Sequence, residues 1–498
     1  MTHPDRQTPD SYLYSMAYSV VIGLEVHAQL STNTKMFCGC KVEFGAEPNT
    51  LVCPVCLGMP GTLPMPNAKA VEFAIKMGLA CSSRIDNLAM WTRKNYFYPD
   101  LPKGYQITQQ GENALYDRPI CTKGHLDIDL DDGTRKRIGL TRIHMEEDAG
   151  KLIHDLTVAD SLFDANRCGT PLIEIVSDPD LRTPREAYLY LEKLKQILEY
   201  LEICDANMER GNLRCDANVS LRKDENAPFG NRVELKNMNS FHNIEKALES
   251  EIELQAMLLD RGEVIPKQTK RWDVACGVTV ATRTKEEAHD YRYFPEPDLV
   301  RINVDAKTIE AIQAALPELP EARRKRYVEQ FGIPAYDAAV LTSDKPVSQF
   351  YERVCSIAGD KKAASNWTMG EVLRVVKEQT ITVWDLKFTP EDLGELINLI
   401  SVGTISGKIA KTVFEDMLSE GKAPSQIVKD KNLIVINDTG AIEGFIKDIL
   451  DKNQDSVAAY KGGKVKLLGF FVGQVMKVSG GKASPDTVNH LLKKHLDA

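Results

Sequence analysis

The sequence predicts an α+β protein in three successive regions. These are an antiparallel-sheet body over residues 19–294, an all-helical region over 295–425 and a small helical tail domain over 426–498, with an N-terminal extension over 1–18. Three observations predict this. Apolar and polar residues alternate in several segments before about residue 290, which is the period of half-buried strands. Helix signals follow one another closely from about 305 to 430. Pro295 and Pro297, in DYRYFPEPDLV, forbid regular helix where the two patterns meet. A chain of 498 residues has room for roughly three domains of about 150 residues each. Its 43% hydrophobic and 27% charged residues exclude a wholly disordered chain, a collagen-like repeat and a multi-span membrane protein.

The first strand is VIGLEVHAQL. Ile22, Leu24, Val26, Ala28 and Leu30 take one face, which leaves Glu25 and His27 together on the other. HLDIDL, the turn Asp131-Asp132-Gly133 and TRKRIGLTRIHMEED form a hairpin whose apolar parity shifts between Leu140 and Ile143. A bulge there would deliver His144, Glu146, Glu147 and Asp148 at the strand end. PLIEIVSDP embeds Glu174 between Ile173 and Ile175. A helix follows from Pro184 to about Cys204, with Thr183 and Glu186 spaced as a capping box. LRCDANVSLR puts Arg214, Asp216 and Asn218 on one face, and RVELK puts Glu234 and Lys236 opposite Val233 and Leu235. Thr389-Pro390-Glu391-Asp392 and Ser484-Pro485-Asp486 open later helices, and the spacing of Ala441, Ile442, Phe445, Ile446, Ile449 and Leu450 is helical.

The 62 basic and 71 acidic residues give a net charge of −9, so any contact with nucleic acid must be local. From Lys461 onward seven lysines face two aspartates, a charge of +5 that leaves −14 on the remainder. Such a tail reads either as a solvated surface or as a phosphate-contacting face. Leu467–Val475 is apolar but broken by Gly469, Gly473 and Gln474, and it is too short to span a bilayer, so no membrane association is expected. The first fifteen residues carry Asp5, Arg6 and Asp10 and no apolar h-region, which makes the cytoplasm the expected compartment.

In a reducing compartment the eleven cysteines read as thiols or metal ligands rather than disulfides. Cys38, Cys40, Cys53 and Cys56, spaced C-x-C and C-x-x-C, suit a closed four-thiolate structural zinc site within an insertion over 38–56, with ordinary buried thiols as the plain alternative. The polar strand faces admit two readings as well. One is a wet sheet face. The other is a magnesium site, because Asp216, Asn218 and Glu174 are poor strand formers and clustered carboxylates repel one another unless cations neutralise them. GxxxxGK[ST], HExxH and G-x-S-x-G are all absent, so any use of ATP does not run through a P-loop.

Several segments then carry a resemblance. VIGLEVHAQL, TRKNYFYPDLPKGYQITQ, RIHMEEDAGK, DANRCGTPLIEIVSDPDLRTPREAY, GNLRCDANVSLR, ELKNMNSF and DYRYFPEPD resemble, in order, the B-subunit family of the aspartyl/glutamyl-tRNA amidotransferases. KVKLLGFFVGQVMK resembles that family's C-terminal helical domain. The fifteen residues before Met16 extend beyond the family's common start.

The resemblance implies a cradle-like catalytic body working beside two partners, the amidase (A) subunit and the small (C) subunit. ATP would phosphorylate the side-chain carboxylate of Glu-tRNA(Gln) or Asp-tRNA(Asn), and ammonia from the amidase would then form the amide. It implies magnesium on His27, Glu147 and Glu174, with Glu25 and Glu146 as neighbouring ligands or ammonia-handling groups. Strand-face reasoning adds Glu209 and Asp216. Arg93, Lys94 and Tyr96 belong to an aromatic and basic loop suited to a single-stranded RNA end or, alternatively, to packing in the body. Together with Lys461, Lys464 and Lys466 they are the candidate contacts to mischarged tRNA. The competing functions are a noncatalytic tRNA-binding scaffold and an ATP-dependent ligase of a small carboxylic acid.

Overall fold

The computed structural model describes residues 18–111, 115–154, 161–284, 291–435, 439–480 and 482–497. Except for Tyr18, the N-terminal extension lies outside the described residues. The chain divides into two compact units, one ending at Leu319 and the other beginning at Pro320.

The first unit is built on a twelve-stranded sheet. Its main strands are β1 (Ser19–Gln29), β2 (Thr92–Asn95), β3 (Tyr105–Thr108), β4 (Cys121–Asp129), β5 (Arg135–Glu147), β6 (Pro171–Ser177), β7 (Leu213–Arg222), β8 (Val233–Met238), β9 (Gln268–Asp273) and β10 (Val278–Thr284). They lie in the order β10-β9-β8-β7-β1-β6-β5-β3-β2, with Phe294–Pro295 added at the β2 edge. β4 pairs with β5 and with the short strand Arg84–Ile85. Every pairing is antiparallel except β8 with β9.

The alternation read from the sequence governs burial here. Ile22, Leu24, Val26 and Ala28 of β1 are fully buried, while Glu25, His27 and Gln29 are half-buried on the opposite face. Helices α1 (Ala68–Ala80), α2 (Pro184–Tyr200) and α3 (Phe241–Asp260) contribute to the core on the apolar side. Thr183 caps α2 by accepting from Glu186 N, but the Glu186 carboxylate accepts from Arg182 N instead of completing the box. The helix ends before the expected Cys204, because Glu202 adopts a left-handed φ of 56° that no helix continues. The expected bulge is present: β5 and β6 pair Arg142 with Val176 and then Leu140 with Ser177, so Thr141 is the extra residue.

β7 departs from the expected alternation, since all its residues from Ala217 to Arg222 are buried. The chain folds back over this end. Gly230 approaches the Leu221 carbonyl so closely that any Cβ would collide with it, and Phe229 lies 5.4 Å from the Arg222 guanidinium.

Within the second unit, helices between Pro320 and Asp430 enclose a core around Tyr327, Phe350, Tyr351 and Phe414. Thr389 and Asp392 form the full capping box that opens Pro390–Ser401. Thr439–Lys452, Gln454–Lys461, Leu467–Val478 and Pro485–Asp497 share a separate core built on Ile442, Ile446, Phe471, Val475, Val488 and Leu492. Among the described residues no helix is long and apolar enough to cross a membrane.

Candidate active site

Register across the sheet assembles the site. His27 on β1 lies opposite Glu174 on β6 and Arg214 on β7, and Glu174 lies opposite His144 on β5. Four strands thus put Arg214, His27, Glu174 and His144 in one row. Glu25 lies opposite Asp216 in the next row. Glu146, two residues beyond His144, shares the same face and lies opposite Thr108 on β3.

His27 Nε2 is 3.2 Å from Glu174 Oε2 and 3.5 Å from Glu146 Oε1, and one donor atom from each of the three side chains lies within 4.8 Å of the others. His144 Nε2 is 3.6 Å from Glu174 and 3.7 Å from Glu146, and neither of its ring nitrogens is hydrogen-bonded. Glu146 and Glu174 are both buried, and among the described residues neither has a lysine or arginine in ion-pair range.

The charges respond to that crowding. Burial pulls the His27 imidazole down, but the Glu174 and Glu146 carboxylates outweigh it and lift the ring to about 9. Burial pushes Glu174 and Glu146 up, and the two histidines hold both below the usual carboxylate range. Glu25 is raised by burial and by Glu174, Asp216 and Glu234, with Arg232 opposing; its Oε1 accepts from Asn218 Nδ2 at 3.0 Å. Two buried carboxylates and one imidazole converging without a permanent cation match what a hydrated divalent metal requires.

Glu147 points the other way. Adjacent strand residues face opposite sides of a sheet, so Glu147 shares the side of Met145, away from His27 and Glu174. It pairs with Lys103 and accepts from Ile107 N at 3.1 Å. It lines a separate cavity of about 200 Å³ together with Cys38, Cys56 and Tyr105.

The four cysteines Cys38, Cys40, Cys53 and Cys56 converge with their sulfurs within 4.8 Å of one another, and Cys53 and Cys56 are 3.9 Å apart. Tetrahedral zinc with Zn–S near 2.3 Å requires S···S of about 3.8 Å. Lys35, fully buried, donates to Cys56 Sγ at 3.6 Å and to the Leu51 carbonyl at 2.8 Å. A buried ammonium 3.6 Å from a thiol sulfur favours thiolate at this site, as zinc binding does.

The GatB/GatE catalytic domain family matches residues 20–310, and the GatB domain family matches residues 349–496. The B subunit of the aspartyl/glutamyl-tRNA(Asn/Gln) amidotransferase of Geobacter sp. (strain M21) is 54% identical over 484 residues, covering 97% of this chain and 100% of that protein. Its counterpart in Geotalea daltonii is also 54% identical with the same coverage, and that of Clostridium botulinum (strain Okra / Type B1) is 52% identical over 479 residues, covering 96% and 99%. The chain belongs to the B-subunit family of these amidotransferases.

The remaining candidate residues of this family member divide by strand parity. Lys94 has the parity of Thr92, which pairs with Thr108, so it lies on the carboxylate face. Its Nζ stands 4.9 Å over the Tyr291 ring, and Tyr96 packs edge-on against Tyr291 at 6.1 Å. Arg93 turns away and grips Glu296 through two bonds of 2.6 and 2.8 Å, and Asp298 at 3.1 Å. Asp216 faces Glu25, but its carboxylate is met by Lys236. Glu209 lies in an exposed turn before β7, outside the cluster. Lys461, Lys464 and Lys466 are exposed around the turn that precedes Leu467–Val478. Sequence reasoning placed Asp148 at the end of a strand without giving it a role, and it gave none to Gln29 or Tyr291. The first two show only a strand-end position, and Tyr291 sits in a segment read as a boundary.

Proposed function

We propose that this chain performs the carboxylate-activating step of a tRNA-dependent amidotransferase, and that the step takes place on the face shared by Glu25, His27, Glu146 and Glu174. Family membership makes the chain one component of such an enzyme and does not favour a noncatalytic scaffold or a ligase of small acids. The observation that carries the reading is the convergence of His27, Glu146 and Glu174 from three different strands.

In this reading ATP is the phosphoryl donor. An oxygen of the aminoacyl side-chain carboxylate attacks the γ-phosphorus while the bond from that phosphorus to ADP breaks, giving an acyl phosphate. Ammonia then attacks the carbonyl carbon, the bond to phosphate breaks, and the nitrogen loses a proton. Magnesium would supply the neutralisation that two anions need in order to meet. His27, Glu146 and Glu174 are the residues suited to hold it, with Glu146 rather than Glu147 as the third ligand. Glu25 lies on the same face, and in this reading its carboxylate takes the proton leaving nitrogen.

Beside Glu25 a cavity of about 270 Å³ is lined by Gly23, Asn218, Ser220, Phe229 and Arg232. Asn218 Oδ1 is buried there without a hydrogen-bond partner, and Phe229 is 61% exposed. An acceptor in need of a donor next to an open aromatic ring suits the amino edge and flat face of a purine, so we assign this cavity to the base of ATP. Structural zinc on the four cysteines, the amidase (A) and small (C) partner subunits, mischarged Glu-tRNA(Gln) or Asp-tRNA(Asn), and a cytoplasmic setting complete the proposal.

The test is amide formation by the reconstituted complex on each mischarged tRNA, with phosphate release followed in parallel. Phosphate release that requires both ATP and mischarged tRNA is the expected result. Amide formation that proceeds equally well without ATP would overturn the reading.

A further inference from the structure

Arg214 has no part in the chemistry described so far, yet it stands in the central row of the site, directly opposite His27. Its Nη2 donates to Asp148 Oδ2 at 2.7 Å. Asp148 is 4% exposed; it also accepts from Gln29 Nε2 at 2.6 Å and lies 3.7 Å from Arg167 Nε. Two guanidinium groups therefore share one buried carboxylate, and the trio carries one excess positive charge.

The two arginines differ in what remains available. Arg167 donates to the Ala149 carbonyl at 2.8 Å and to the Gly150 carbonyl at 2.5 Å. Arg214 has Asp148 as its one hydrogen-bond partner among the described residues, and its Nε is buried without any. About 38% of its side chain is nevertheless exposed on the carboxylate face. A guanidinium is a planar fork made for bidentate contact with a carboxylate, and burying one of its N–H groups unpaired is costly. Arg214 is thus anchored at one tip, with donors left over for an anion.

The row gives that anion a place. Neighbouring strands are about 4.8 Å apart, so Arg214 lies one strand from His27 and two from Glu174. Glu146 and Glu174 are engaged with His27, and Asp216 with Lys236, so these groups offer no free cation to an incoming carboxylate. On the β7 side of the row it is Arg214 that keeps unused donors.

We propose that Arg214 binds the side-chain carboxylate of the aminoacyl-tRNA, with Asp148 and Gln29 positioning its guanidinium. The inference takes its substrate from the function proposed above, but it concerns binding and requires no chemistry.

The experiment uses the intact complex without ATP and measures its affinity for Glu-tRNA(Gln) and for Gln-tRNA(Gln), which differ only in carboxylate against amide. The unaltered protein should bind the carboxylate form about tenfold or more tighter, the value of a charged hydrogen-bonded contact. Arg214→Met should erase that preference and leave the affinity for Gln-tRNA(Gln) within about twofold, while Arg214→Lys, which retains the charge without the fork, should preserve part of it. A preference that survives Arg214→Met, an equal loss for both tRNAs, or no preference in the unaltered protein would each overturn the proposal. If Arg214→Met does not assemble, Arg214→Lys decides: an undiminished preference refutes the role of the fork. A complex that shows the Arg214-dependent preference but forms amide without ATP would sink the activation reading and leave this one standing.

Discussion

Glu146 and Glu147 are chemically alike and adjacent in sequence, yet the pleat sends them to opposite sides of the sheet. Glu146 meets His27 at 3.5 Å, whereas Glu147 is neutralised by Lys103 beside the cysteine loop. The same parity separates Lys94, which faces the carboxylates, from Arg93, which is committed to Glu296. Manganese as a spin probe for the proposed magnesium site follows this division directly. Glu146→Gln and Glu174→Gln should each weaken bound Mn²⁺ by at least tenfold in electron paramagnetic resonance titrations and lower amide formation a hundredfold or more, with the partner amidase unaffected. Glu147→Gln should keep its Mn²⁺ affinity and act instead by leaving Lys103 buried without its charge partner. Loss of Mn²⁺ in Glu147→Gln with retention in Glu146→Gln would reverse the assignment.

At the scale of elements, the loop over 38–56 is tied to the strand Ser161–Asp164 through Asn49, which bonds Phe163 and Asp164, and is gathered internally around its cysteines. The four sulfurs converge, and Lys35 buries its charge against Cys56. With zinc bound, four thiolates share the negative charge beside Lys35; without it, the hydrogen bond from Cys38, helped by Lys35, holds the Cys56 thiol down at about 4, so one thiolate still faces the ammonium. Protein purified without chelator should therefore hold about one tightly bound zinc per chain. Cys56→Ser should lose most of that zinc and destabilise the first unit by about 3–5 kcal/mol, the cost of an uncompensated buried charge, read as a lower thermal midpoint. An unchanged midpoint after complete zinc removal would exclude a structural role.

Elements with regular local patterns were legible in advance, and those with interrupted patterns were not. The alternation in β1 and the capped α2 could be read directly; that of β7 holds only over its first half, and α3 could not be read, because its buried stripe includes Glu251 and Gln255. Those polar residues fit only because Lys270 of β9 donates to Glu251 at 2.8 Å and Thr279 of β10 at 2.6 Å.

For the molecule as a whole, charge is sorted along the chain, with the excess of lysine in the last helices of the second unit. Lys461, Lys464 and Lys466 stand exposed while the helices around them close on Ile442, Ile446 and Phe471. Deleting everything from Lys461 would split that core, since Phe471, Val475, Val488 and Leu492 lie beyond the cut and Ile442 and Ile446 before it. Substitution is the cleaner test of tRNA binding by this face. Changing the three lysines to glutamine should weaken tRNA binding and flatten the plot of log affinity against log salt by about 0.7–0.9 for each phosphate no longer neutralised, with folding unchanged. An unaltered salt slope would remove these lysines from the interface.

The sequence by itself determined which face of each strand is polar, where the capped helices begin, that four thiols lie within reach of one loop, and which family the chain resembles. These properties depend on neighbours a few residues apart, where the pleat and the helical turn impose their periods. Only the tertiary structure decided that β1 lies between β6 and β7, bringing Glu25 to Asn218 across 193 residues of chain, and that Glu146 rather than Glu147 joins His27 and Glu174. It alone set Arg214 in that row. Strand order and register arise from hydrogen bonds and core packing between distant segments, and no local period encodes which polar faces will meet.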